Sequence, residues 1–188
     1  MQDVELNASQ TAVVLIDLQQ GIMGYPTAPY AISSVIGVAA DLAGRFRSRG
    51  ATIVYVRVDL ANMIQLTVDQ SHGDPNGPPP PPAASEIVPE AGRQPDDLLI
   101  TKHHWDAFGG TELEQMLRQR GIRTIVLCGV ATHIGVESTA RSAASRGFDV
   151  VLAEDATTST SADAHQYAIT RVFPFLGRVR SAVQVRPI

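Results

Sequence analysis

Five short stretches in which apolar residues follow one another without polar interruption set the strongest limit on how this chain can fold. Residues 11–16 read Thr-Ala-Val-Val-Leu-Ile and stop at Asp17, and residues 52–56, 98–101, 124–128 and 150–153 repeat the design. A strand with one wet face alternates apolar and polar residues, so an unbroken run of this length predicts a strand covered on both faces. Between most of these runs lie stretches with helical spacing. Residues 35–49 place Val35, Val38, Ala39, Leu42 and Phe46 on one stripe, and residues 111–120 do the same with Leu113, Met116 and Leu117. Gly50, Gly121 and Gly147 each follow a helical stretch and precede a strand, where glycine supplies a left-handed C-terminal cap. Alternating elements with doubly covered strands predict an α/β protein with a parallel sheet, helices on both faces and right-handed crossovers. A sixth short strand is expected near residues 179–183.

At 188 residues the chain is expected to be one domain, 1–188, large enough for a core without disulfides or metal. The alternation is interrupted at about residues 73–97, where Pro78 to Pro82 are consecutive and Pro75, Pro89 and Pro95 flank them. Proline lacks the backbone N–H that a helix or interior strand needs, so this segment is a long loop. It reads either as an ordered excursion over the surface or as a lid or subunit contact.

A net charge of −4 without a basic run gives no footprint for nucleic acid. Charged residues make up 18% of the chain, below the roughly 25% of an average soluble protein, which points to surface buried in a homo-oligomer, with a dimer favoured. Cys128 is alone and forms no internal disulfide, the first residues lack the pattern of an export signal, and no apolar run approaches a membrane span. A cytoplasmic protein without a membrane partner is the expectation.

In open parallel sheets ligands bind outside the carboxyl ends of the strands. Asp17 follows the first strand, Arg57 and Asp59 close the second, Lys102 follows the third, and residues 129–135 follow the fourth. Asp17 is either a turn former or one half of an acid/base pair with Lys102, since a carboxylate and an ammonium at one sheet edge shift each other's pKa. The five histidines, His72, His103, His104, His133 and His165, show no tight ligand spacing, so no metal is expected. No glycine-rich strand-to-helix turn matches a nucleotide-binding fingerprint, so no cofactor is expected. Cys128, at the end of an apolar run, reads as a small core residue.

Three segments together resemble the isochorismatase-like hydrolase superfamily. They are Val14-Leu15-Ile16-Asp17-Leu18-Gln19, Thr101-Lys102-His103-His104-Trp105-Asp106-Ala107-Phe108, and Gly129-Val130-Ala131-Thr132-His133-Ile134-Gly135-Val136 followed by Ser138-Thr139-Ala140-Arg141. Their order and spacing fit over nearly the whole chain, and Ala153-Glu154-Asp155-Ala156 also fits. The resemblance implies a three-layer α/β/α, Rossmann-like fold on a six-stranded parallel sheet. It implies Asp17 and Lys102 as catalytic residues and a cis peptide between Val130 and Ala131. The family's cysteine hydrolases carry their nucleophile at the position held here by Gly135, which has no side chain to form a covalent intermediate. That change resembles the isochorismatase form of the motif, in which water attacks an acid-activated vinyl ether. Ala131 and Thr132 depart from the residues of isochorismatases at those positions.

Substrate contacts are expected from Trp105, Ala131, Thr132 and His133, with His133 either orienting substrate or capping the following helix. Asp17 acts as general acid if burial outweighs the pull of Lys102, and as general base toward water if it does not. The expected function is hydrolysis of a small metabolite without a cysteine nucleophile, an isochorismate-type vinyl ether leading. The alternative is a catalytically silent member that binds a small ligand or a partner.

Overall fold

The structure, a computed structural model, describes residues 2–71 and 77–188. His72 and the first four residues of the proline-rich loop, 73–76, lie outside them. In chain order the regular elements are β1 (Val4–Leu6), β2 (Thr11–Ile16), α1 (Ile32–Arg47), β3 (Thr52–Val58), β4 (Leu98–Lys102), α2 (Leu113–Gln119) and β5 (Thr124–Val130). They continue with α3 (Glu137–Ser145), β6 (Asp149–Thr158), α4 (Ala162–Tyr167), α5 (Phe173–Leu176), β7 (Gly177–Arg180) and β8 (Val185–Pro187).

The main sheet has six parallel strands in the order β4-β3-β2-β5-β6-β7. All six residues of β2 are buried, which is why the run is apolar apart from Thr11, whose hydroxyl donates to Asn7 O. Its side chains alternate between the two sheet faces. Val13 and Leu15 join Tyr55, Val126 and the α1 residues Ala39, Leu42 and Phe46 on one face. Ala12, Val14 and Ile16 join Val56, Leu127, Leu117 of α2 and Ala140 of α3 on the other. Two cores separated by one sheet make the three-layer α/β/α architecture, and burying each large aliphatic side chain contributes about 1.5–3 kcal/mol.

The three glycine stops are in place, with Gly50, Gly121 and Gly147 at φ of 80°, 68° and 76°. The sixth strand begins and ends earlier than the expected 179–183, at Gly177–Arg180. Its end is set by Ser181 and Gln184, whose side chains form a capping box around a short 3₁₀ turn over Ala182–Gln184. A separate two-stranded pair, β1 with β8, lies outside the sequence reading.

The described part of the proline-rich loop is ordered and anchored near the carboxyl end of β2. Val88 N–H donates to Leu18 O, Gln20 N–H to Glu86 O, and the Tyr55 hydroxyl to Ala91 O, at 3.0, 2.9 and 2.6 Å. The side chain of Gln19, fully buried, donates to Val58 O and Ala84 O and accepts from Val58 N–H. Polar atoms buried this deeply need partners, and Gln19 obtains them by tying the loop to β3.

Candidate active site

Where β2 ends, Asp17 N–H still donates to Val56 O, and then the backbone turns left-handed at Asp17, with φ of 54°. Aspartate is among the few residues that tolerate this region. The next strand over must come close at this point. A Cβ on Gly129 of β5 would lie 2.1 Å from Ile16 O, so only glycine lets β5 run past the end of β2. The Val130–Ala131 peptide that follows is cis, as the resemblance implied. Ala131 O then accepts from both Ile134 N–H and Val136 N–H, closing a π-helical turn over Thr132–Val136 that leads into α3.

This turn carries Gly135 onto Asp17 and Lys102. A Cβ built on Gly135 would stand 3.2 Å from both Asp17 Oδ2 and Lys102 Nζ. Lys102 closes β4, two strands away, and its Nζ lies 2.8 Å from Asp17 Oδ2 while donating to Trp105 O at 2.8 Å. The side chain of Lys102 is 1% exposed and that of Asp17 is 12% exposed, so this pair is shielded from solvent. Three residues from three separate segments therefore meet at the carboxyl edge of the sheet.

The two oxygens of Asp17 are not equivalent. Oδ2 faces the ammonium, whereas Oδ1 is buried and makes no hydrogen bond among the described residues. Burial pushes the Asp17 carboxyl above the usual range, and Lys102 pulls it back only in part. Of the two opposed influences weighed from the sequence, burial is the larger.

The remaining expected site residues lie on or beside the turn. Trp105 is half exposed and contributes its carbonyl to Lys102. Ala131 is partly buried, and Thr132 is fully buried with its hydroxyl 2.8 Å from His165 Nδ1. His133, partly exposed, shares a short hydrogen bond between its Nδ1 and the Ser159 hydroxyl. Phe108 is buried in the core beside Phe148. Cys128 is buried on the α1 face of β5, and burial pushes its thiol up to about 12, far from a reactive thiolate.

Gln19, Ser159, His165 and Glu154 complete this edge, and none was singled out from the sequence as part of a site. A surface cleft of about 470 Å³ lies at the opposite, amino edge of the sheet beside Thr52 and Leu98. There Arg47 and Asp97 already satisfy each other at 2.7 Å, so the convergent chemistry is at the carboxyl edge. Among the described residues no three His, Cys, Asp or Glu side chains gather into a metal-binding group, and no helix is long and apolar enough to cross a membrane.

The six-stranded parallel sheet, the buried carboxylate–lysine pair and the cis-peptide turn are the features the resemblance implied, and comparison with known proteins shows the family. The Isochorismatase domain matches residues 11–184, and the chain belongs to the isochorismatase-like hydrolase family. It is 41% identical to the uncharacterized isochorismatase family protein YecD of Escherichia coli O157:H7, over 97% of each chain. An isochorismatase family protein of Burkholderia thailandensis superposes with a TM-score of 0.90 at 41% identity, covering 98% of this chain and 97% of that one. The ureidoacrylate amidohydrolase RutB of Azorhizobium caulinodans is 26% identical over 98% of this chain and 92% of its own.

Proposed function

We propose that this hydrolase cleaves a small vinyl ether, isochorismate being the leading candidate, by protonation and water addition without a covalent intermediate. The observation that carries the reading is the asymmetry of Asp17. One oxygen is held by Lys102, the other is buried without a protein partner, and the carboxyl's hold on its proton is strengthened. With Oδ2 accepting from the ammonium, the acid's proton belongs on Oδ1.

The chemistry follows from that placement. The Asp17 O–H bond breaks and its proton adds to the terminal carbon of the C=C–O group, leaving positive charge on the ether-bearing carbon. Water adds to that carbon and returns a proton to Asp17. The resulting hemiketal breaks its C–O bond, giving a ketone and an alcohol as the hydroxyl proton passes to the leaving oxygen. Lys102 stabilises the carboxylate that exists between the two transfers, at 2.8 Å and away from water. Gly135 presents no nucleophile, a Cβ there would already crowd the pair at 3.2 Å, and substrate is proposed to occupy the space beside it. Trp105, Ala131, Thr132 and His133 are proposed to line or shape that space, and a second copy of the chain is proposed to complete the functional unit as a homodimer.

An amide is the second substrate class to test, because RutB is an amidohydrolase, but the resemblance places the amidohydrolase nucleophile at a position where this chain has glycine. Wild type and Asp17→Asn are assayed on isochorismate and on simple amides. Isochorismate turnover that falls at least about 10²-fold in the variant is the expected result. Amide turnover instead, or isochorismate turnover unchanged by the substitution, overturns the reading. No turnover of either substrate favours a silent, ligand-binding member and overturns it equally.

A further inference from the structure

A chain of polar groups starts at Thr132, in the turn that carries Gly135, and takes no proton in the steps above. Thr132 and His165 are 0% and 1% exposed, and the Thr132 hydroxyl lies 2.8 Å from His165 Nδ1. On the far side of the ring, His165 Nε2 is 3.8 Å from Glu154 Oε1, too long for a hydrogen bond but close enough for electrostatic coupling. Glu154 Oε1 also accepts from the Tyr30 hydroxyl at 2.7 Å, and Tyr30 packs edge-on to the His165 ring. Thr157 and Thr158 close the chain, donating to Glu154 O and Tyr30 O.

Burying the polar atoms of Thr132, His165, Thr157 and Thr158 costs free energy that an apolar cluster of the same shape would not. Its end point suggests a use. Thr132 opens the turn whose carbonyl at Ala131 holds both Ile134 and Val136, so fixing Thr132 fixes the path of Gly135. Gly135 in turn sits within contact distance of both Asp17 and Lys102. The negative charge of Glu154, 3.8 Å from Nε2, favours the tautomer with the ring proton on that nitrogen, in which Nδ1 would accept from the Thr132 hydroxyl.

We propose that His165, oriented by Glu154, is a positioning residue that sets the placement of Gly135 against the Asp17–Lys102 pair through the Thr132 hydroxyl. The inference rests on the reading of that pair as the reactive centre.

Thr132→Val removes the hydroxyl at constant shape, and Thr132→Ser restores it. Two readouts are taken on each: kcat and KM for isochorismate, and the titration of the Asp17 carboxyl by carbon-13 NMR. In Thr132→Val, kcat is expected to fall about 10- to 100-fold with KM little changed, and the Asp17 titration to move down toward the ordinary carboxylate range as water reaches it. Thr132→Ser returns both toward wild type. A folded Thr132→Val protein with lowered thermal stability but unchanged kcat and unchanged Asp17 titration overturns the proposal. If wild type does not turn over isochorismate, the substrate assignment fails, and the Asp17 titration alone decides the positioning role. Should Thr132→Val not fold, the nitrogen-15 shifts of His165 in the wild-type protein decide it. A ring protonated at Nε2 and accepting at Nδ1 supports the proposal, and a proton on Nδ1 overturns it.

Discussion

Replacing Lys102 by methionine removes the ammonium from the buried pair while keeping an unbranched side chain in its place. Lys102 Nζ lies 2.8 Å from Asp17 Oδ2 and its side chain is 1% exposed, so at any pH that ionises the carboxyl the loss leaves a shielded carboxylate with no counter-charge. Removing one partner of such a pair costs about 3–5 kcal/mol. Set against a total stability of roughly 5–15 kcal/mol, that is a large fraction. At roughly 2–4 °C per kcal/mol for a chain of this size, the melting temperature falls by about 6–20 °C.

The sign of the pH dependence makes the test specific. Burial raises the pKa of Asp17 and Lys102 opposes it, so the variant's carboxyl rises further. An acid whose pKa is higher folded than unfolded binds its proton more tightly in the native state. Its contribution is therefore lost as pH rises from the unfolded value near 3.8 toward the folded one. The deficit of Lys102→Met relative to wild type widens with pH, and thermal melts followed by circular dichroism at about pH 5 and about pH 8 measure it. A deficit of equal size at both pH values, or no deficit, refutes the account of Asp17 as a buried acid restrained by Lys102.

Cys128→Ser is expected to keep most of the hydrolytic activity, because the thiol is buried in the core with its ionisation pushed up to about 12. An acyl adduct trapped on Cys128, or turnover abolished at unchanged melting temperature, contradicts this. Sedimentation or light scattering is expected to give about twice the chain mass of 20.1 kDa, following the low charged fraction of 18%, and a mass near that of one chain refutes the dimer.

The main sheet was legible because its inner strands are covered on both faces, so runs such as residues 11–16 appear as nearly unbroken apolar blocks in the sequence. The end of β7 was not, since it is decided by a local capping box between Ser181 and Gln184 rather than by apolar content. The β1–β8 pair joins three residues near each end of the chain, and nothing local in Val4–Leu6 announces Val185–Pro187 as its partner. Asp17 and Lys102 were legible as polar residues closing apolar runs inside recognisable motifs. Gln19 was quoted within such a motif, but its role depends on carbonyl groups of Val58 and Ala84, which no side-chain pattern reveals. His165 was weighed only as a metal ligand. Its partner Thr132 is 33 positions away, and only the packing of α4 against the turn brings them together.

The most direct test of the central claim is the position of deuterium in the product when wild-type protein hydrolyses isochorismate in heavy water. Protonation of the terminal carbon by Asp17, whose exchangeable proton is then a deuteron, places one deuterium in the methyl group of the three-carbon keto acid. Proton NMR at early times, before that methyl group exchanges with solvent, is predicted to show this single label formed in wild type and at least about 10²-fold more slowly in Asp17→Asn. A keto acid released with an unlabelled methyl group, or labelled product formed as fast without the Asp17 carboxyl, would contradict Asp17 as the acid that starts the reaction.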